Sequence, residues 1–200
     1  MKPLFPFLIF AMMLQACASN LSWTEAEKAV VAEPVPVRVL TIFDKADSIV
    51  LRTPCAEITR DDIVSDTYRQ LEHALIETVK SPEQGGVGIA APQIGISRRV
   101  IVVQRFDKEQ EPFEAYPNVR ITAVRGEKEP GGEGCLSIPG YRGNVLRYRD
   151  IDVQYTSPRT LKDTVERIEG FTAVIFQHET DHLDGVLYID RLDGELLPSE

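Results

Sequence analysis

At 200 residues, 43% of them hydrophobic, the chain is long enough to bury one good core and too short for several. Its 22 basic and 31 acidic residues leave a formal charge of −9, a surface that repels nucleic acid and excludes it as a partner. No internal repeat or low-complexity tract interrupts the single-domain pattern.

In chain order, Lys2 precedes an apolar stretch from Leu4 to Leu14 that contains Pro6 and is too short to cross a bilayer, as in a secretory signal. It runs into Leu14-Gln15-Ala16-Cys17, which resembles the bacterial lipoprotein box, whose cysteine is lipidated and becomes the mature N-terminus. A polar stretch from Ala18 to Glu33 and the segment Pro34-Val35-Pro36 then read as a tether. The expected division is a signal and lipobox over 1–17, a tether over 18–36 and the folded domain over 37–200. A membrane-anchored lipoprotein outside the cytosol follows; an incidental apolar N-terminus on a cytoplasmic protein is the alternative.

Thr59 followed by Asp62 reads as a capping box opening a helix from Asp61 to Lys80, which ends before Ser81-Pro82. Its apolar stripe is Val64, Tyr68, Leu71, Leu75 and Val79, and His73 faces away from that stripe as a solvated surface histidine. Cys55, among strand and turn residues, reads as packed. Next comes Gly86-Val87-Gly88-Ile89-Ala90-Ala91-Pro92-Gln93. As a phosphate loop it is weak, because no lysine or helical pattern follows it. Strand-like runs follow, including Arg99 to Gln104, Arg120 to Val124, Ile151 to Tyr155 and Thr164 to Ile168.

Two later segments carry chemistry. In Gln177-His178-Glu179-Thr180-Asp181-His182 the histidines stand one helical turn apart, so both imidazoles project from one face toward one ion, with Glu179 close enough to exchange a proton with bound water. A catalytic metal needs a third protein ligand. The metalloprotease extension with a third histidine fails, because position 188 is Tyr188. Cys135, in Glu133-Gly134-Cys135-Leu136-Ser137, is the better candidate, since a thiolate binds divalent transition metals strongly.

Taken together, GxGxAAxQ, EGCLS and QHExDHLxG, in this order and without a substitution at a fixed position, resemble the peptide deformylases over roughly Val37 to Leu192. The resemblance implies an α+β fold of antiparallel β-sheets around a central helix bearing the HExxH motif. It implies one divalent metal ion on Cys135, His178 and His182, usually Fe2+, with Zn2+ or Ni2+ able to replace it. It implies Glu179 as general base and then general acid, Gln93 and the backbone N–H of Leu136 at the developing oxyanion, and N-formylmethionyl peptides or proteins as substrates. The peptide would pair as an added strand with Val87, Gly88 and Gly134. By helical projection, Phe171, Val174 and Ile175, with Val87, form an apolar slot for the methionine side chain.

The first 36 residues have no counterpart in a minimal deformylase. Removing residues 1–16 takes away Lys2 and no acid, so 21 basic against 31 acidic residues leave −10. From Val186 onward Asp190, Asp193, Glu195 and Glu200 face Arg191 alone, a net −3 with no ribosome-docking element. Two readings from other classes stand beside the deformylase: a zinc metallopeptidase using the same helix, and a catalytically silent deformylase-like lipoprotein.

Overall fold

The computed structural model describes residues 22–199, so the expected signal and lipobox, with Cys17, lie outside the described residues. The axis of the fold is the motif helix, α5 (Gly170–Leu183). Eleven of its 14 residues are buried, which identifies it as a helix enclosed on all sides rather than an amphipathic surface helix. Gly170 opens it at φ +68° and Gly185 follows it at φ +72°. A Cβ on Gly185 would stand 2.4 Å from the Arg52 carbonyl oxygen, so the chain leaves the helix there only as glycine.

Three antiparallel sheets surround this helix. The first is β1 (Gly88–Ala90), β2 (Val100–Gln104) and β3 (Phe113–Pro117), in that spatial order. The second runs β4 (Arg120–Arg125), β7 (Asp150–Thr156), β8 (Asp163–Glu169), and the third β5 (Glu129–Gly134), β6 (Tyr141–Arg147), β9 (Leu197–Pro198). Helix α5 packs against β1 and β2 of the first sheet and β4, β7 and β8 of the second. Phe176, Ile175 and Ala173 share one apolar cluster there with Ile101, Val103, Ile151 and Val153. The α+β arrangement of antiparallel sheets around a motif helix is the one expected.

The helical layer departs from expectation in two places. The helix expected over Asp61–Lys80 is two helices, α3 (Arg60–Ile63) and α4 (Asp66–Lys80), after a short α2 (Lys45–Leu51). The Thr59–Asp62 capping box is present, but Ser65 is a second N-cap: it is extended at ψ 158°, and its hydroxyl accepts from the Tyr68 amide. The break leaves Val64 52% exposed, off the stripe that buries Tyr68, Leu71, Leu75 and Val79. His73 is exposed and Cys55 buried, as expected.

The second departure corrects the tether. Over its described part it contains α1 (Glu25–Val31), opened by a Thr24–Glu27 capping box and packed on α4. Trp23, Val31 and Val37 are buried in the cluster that holds Leu71 and Leu75. The folded unit therefore begins before residue 37, and a linker description fails from Trp23 onward.

Candidate active site

The expected ligands arrive on two supports. His178 and His182 come from successive turns of α5, with ring centroids 5.2 Å apart. Cys135 comes from the turn that follows β5, held by the bond from the Ile138 amide to its carbonyl. Its Sγ lies 3.2 Å from His182 Nε2, and the three ligand atoms all fall within 4.8 Å of one another. An ion with bonds of about 2.3 Å to sulfur and 2.0 Å to nitrogen fits between Cys135 Sγ and His182 Nε2 at their 3.2 Å separation. His178 Nδ1 is engaged 2.8 Å from Glu133 Oε2, which leaves Nε2 as its donor toward the centre. His182 is held well below its ordinary pKa by burial, hence neutral, the form in which an imidazole ligates.

Glu179 stands beside the ligands, 4% exposed, with Oε2 buried and without a hydrogen-bond partner among the described residues. Burial pushes its carboxyl up to about 7, the range in which one group can take a proton and return it near neutral pH. Gly88 makes room for it: a Cβ there would lie 2.5 Å from Glu179 Oε1 and 2.8 Å from Ile175 Cγ2. Gln93 is fixed through its Oε1, which accepts from the Ala90 amide at 2.8 Å. Its Nε2 donates to Ser137 Oγ at 3.2 Å and lies 3.7 Å from Cys135 Sγ. A cysteine sulfur and two imidazoles converging beside a buried carboxylate oxygen with no partner among the described residues form a donor set that fits one divalent transition metal.

These groups open into a cavity of about 350 Å³. Val87, Gly88, Gly134, Phe171, Val174 and Ile175 all line it, together with Gln93, Cys135, Leu136, His178 and Glu179. Val174 and Ile175 are buried, whereas Phe171 is 49% exposed at the mouth and packs against Phe106, ring centroids 5.4 Å apart. The walls are β1 and β5, and each is the outermost strand of its sheet. Tyr188, where the metalloprotease extension would need histidine, stacks near the His178 ring at 6.1 Å.

Residues 38–196 match the family model described as polypeptide deformylase. The chain belongs to the peptide deformylase family. It is 41% identical over 142 residues to the peptide deformylase of Desulforudis audaxviator, a match covering 71% of this chain and 86% of that one. Among solved structures it is similar to the Thermotoga maritima peptide deformylase (TM-score 0.68, 34% identity, 79% of this chain and 98% of that one). It is similar also to the class I type b peptide deformylase of Acinetobacter baumannii with Met-Ala-Ser bound (TM-score 0.68, 33% identity, 79% and 100%). The family's reaction, removal of the formyl group from an N-formylated peptide, is the activity of this deformylase.

Sequence reasoning gave no role to the charges behind the ligands. Glu133 accepts Arg147 at both carboxylate oxygens (2.8 and 3.0 Å), Arg147 Nη1 donates to Asp181 Oδ2 at 2.6 Å, and Arg191 caps Asp181 through two further bonds. Burial alone would raise the Glu133 carboxyl, but His178 and Arg147 override it and hold it down to about 2. A signal was present in β6, where Arg147 stands two residues after Val145 and so shares its inward face, because a buried arginine has to be paired.

Proposed function

We propose that this deformylase works through the residues gathered at the cavity floor. Cys135, His178 and His182 hold one divalent ion, which when bound polarises the formyl carbonyl and makes water acidic near neutral pH. Glu179 takes the proton of the attacking water at Oε2. The water oxygen bonds to the formyl carbon, the C–N bond breaks, and Glu179 returns the proton to the departing amine nitrogen, giving a free N-terminal methionine and formic acid, which releases its proton to solvent as formate. Gln93 Nε2 and the Leu136 backbone N–H face the oxyanion as it develops, a donor position worth on the order of 3 kcal/mol in such sites.

The substrate enters extended between the outer edges of β1 and β5, pairing with Val87, Gly88 and Gly134, so that most of its sequence goes unread. Val174 and Ile175, with Phe171 at the mouth, receive the methionine side chain. The observation that carries this reading is the meeting of three ligand atoms within 4.8 Å beside Glu179 at the floor of that cleft.

For location, we keep the lipoprotein reading, supported by Leu14-Gln15-Ala16-Cys17 and by the acidic C-terminal segment. The enzyme then acts on exported or scavenged formyl peptides. Fe2+ is the ion the family resemblance implies, and outside the cytosol Zn2+ or Ni2+ resists oxidation better. Cell fractionation that finds the protein unlipidated in the cytosol would overturn the location and leave the chemistry standing.

The test of the chemistry is formate release from formyl-Met-Ala-Ser by protein loaded in turn with iron, nickel and zinc, beside Glu179→Ala. The expected result is turnover with at least one metal and a loss of about 10²- to 10⁴-fold in the variant. Absence of turnover with every metal would return the weight to a silent binding protein.

A further inference from the structure

Helix α1 lies wholly before the residues that the family model matches, yet it is fixed to the domain at a defined point. Trp23 is 6% exposed and donates from Nε1 to Ser65 Oγ at 3.0 Å, at the N-terminal end of α4. The Arg98 guanidinium lies over the same indole, 5.3 Å from its centroid, and donates to the Ser22 carbonyl at 3.4 Å. The chain therefore reaches the domain at the Ser65 end of α4.

The substrate cleft lies at the other end. Val37 donates to Thr78 Oγ1 at 2.9 Å, the Gly86 amide donates to the Val79 carbonyl at 3.1 Å, and Gly86 and Leu136 line the cavity. Helix α4 has 15 residues. At 1.5 Å per residue the two ends stand about 22 Å apart. Cys17 precedes Ser22 by five residues. In any conformation such a segment spans no more than about 17 Å.

We propose that the lipidated protein meets the bilayer surface with the pole carrying Trp23, Ser65 and Val64, so that the mouth of the cleft faces away from the membrane and takes formyl peptides free in the compartment. This rests on the lipoprotein reading of Cys17. What sets the orientation is the length of the leash and its point of attachment, not charge: Val64 is 52% exposed at this pole, and the exposed Arg60 and Arg69 beside it are paired with Asp163 and Asp66. A short leash at the far pole keeps the cleft from N-termini that leave the membrane by only a few residues.

The experiment uses full-length lipidated protein in phospholipid vesicles, beside a variant with a flexible Gly/Ser linker of about twenty residues inserted after Leu21, which extends the leash without touching the folded domain. Both are given soluble formyl-Met-Ala-Ser and the same tripeptide joined to a lipid by a spacer of about four residues. Equal rates are expected on the soluble peptide. On the lipid-bound peptide the linker variant is expected to be about tenfold faster or more, since a leash that cannot span the gap leaves almost no effective concentration. Equal rates on the lipid-bound peptide would overturn the orientation. A mass spectrum showing Cys17 unlipidated would overturn it too, while the soluble assay would still report the deformylase. No hydrolysis of the soluble peptide would overturn both.

Discussion

His178 Nδ1 and Glu133 Oε2 lie 2.8 Å apart, both largely buried, so one ring nitrogen of a metal ligand is committed to a carboxylate. The pairing sets which nitrogen faces the ion and prevents rotation of the ring. Glu133 is in turn gripped by Arg147, and Arg147 by Asp181 of the same helix α5. The ligand helix and the third sheet are thereby tied through alternating charges rather than through apolar packing.

Glu133→Gln is expected to weaken metal binding by about 10- to 100-fold, because the amide is a poorer anchor for the imidazole and unbalances Arg147. Competition with a chelator of known affinity reads this directly. Retention of wild-type affinity would mean that the 2.8 Å contact contributes only to folding.

Gly88→Ala places a methyl group 2.5 Å from Glu179 Oε1 and 2.8 Å from Ile175 Cγ2. The cheapest relief is displacement of the carboxylate, and a shift of about 1 Å in a catalytic group costs on the order of 10²-fold. The expected outcome is a fall of that size in kcat/KM for formyl-Met-Ala-Ser with the metal content unchanged. Full activity would show that Glu179 has another place to stand.

The metal site was legible because coordination constrains residue type and spacing together: two histidines four apart on a helix admit few other uses, and Cys135 supplied the missing donor. Phe171, Val174 and Ile175 could be placed by helical projection because α5 is regular over its whole length. What escaped was decided by distant partners. Ser65 breaks the expected helix because its hydroxyl is shared among the Tyr68 amide, the Asp62 carbonyl and the Trp23 indole. The Glu133–Arg147–Asp181 chain joins three segments that no local pattern connects. Helix α1 had its capping box in the sequence, but Pro34 and Pro36 made the whole stretch read as a linker.

Cys135→Ser separates the deformylase from a peptidase built on the same helix. A neutral hydroxyl is a far weaker ligand for a divalent transition metal than a thiolate, and it loses the contact between Sγ and His182 Nε2 at 3.2 Å. Metal content and formate release are expected to fall together by about 100-fold or more, given that each ligand contributes several kcal/mol to such sites. A variant that keeps its metal and cleaves unformylated peptides would favour the peptidase.

The docking of α1 is expected to loosen in acid. Burial alone would raise the Glu27 carboxyl, but its bonds from Arg98 and from Thr24 outweigh that and leave it lowered. A carboxyl with a lowered folded pKa binds fewer protons folded than unfolded, so its stabilisation is complete above the unfolded value of about 4.3 and is lost as pH falls through the folded value. Trp23, the single tryptophan, is buried where α1 meets α4, so its emission reports this element alone. Its emission is expected to shift to the red at a pH below that unfolded value, with far-UV circular dichroism of the domain unchanged. In Glu27→Gln the shift is expected to be present already at neutral pH and to vary little with acid, because the amide cannot offer Arg98 a charge to pair with. A Trp23 signal that titrates identically in the variant would assign the acid sensitivity to a different carboxylate.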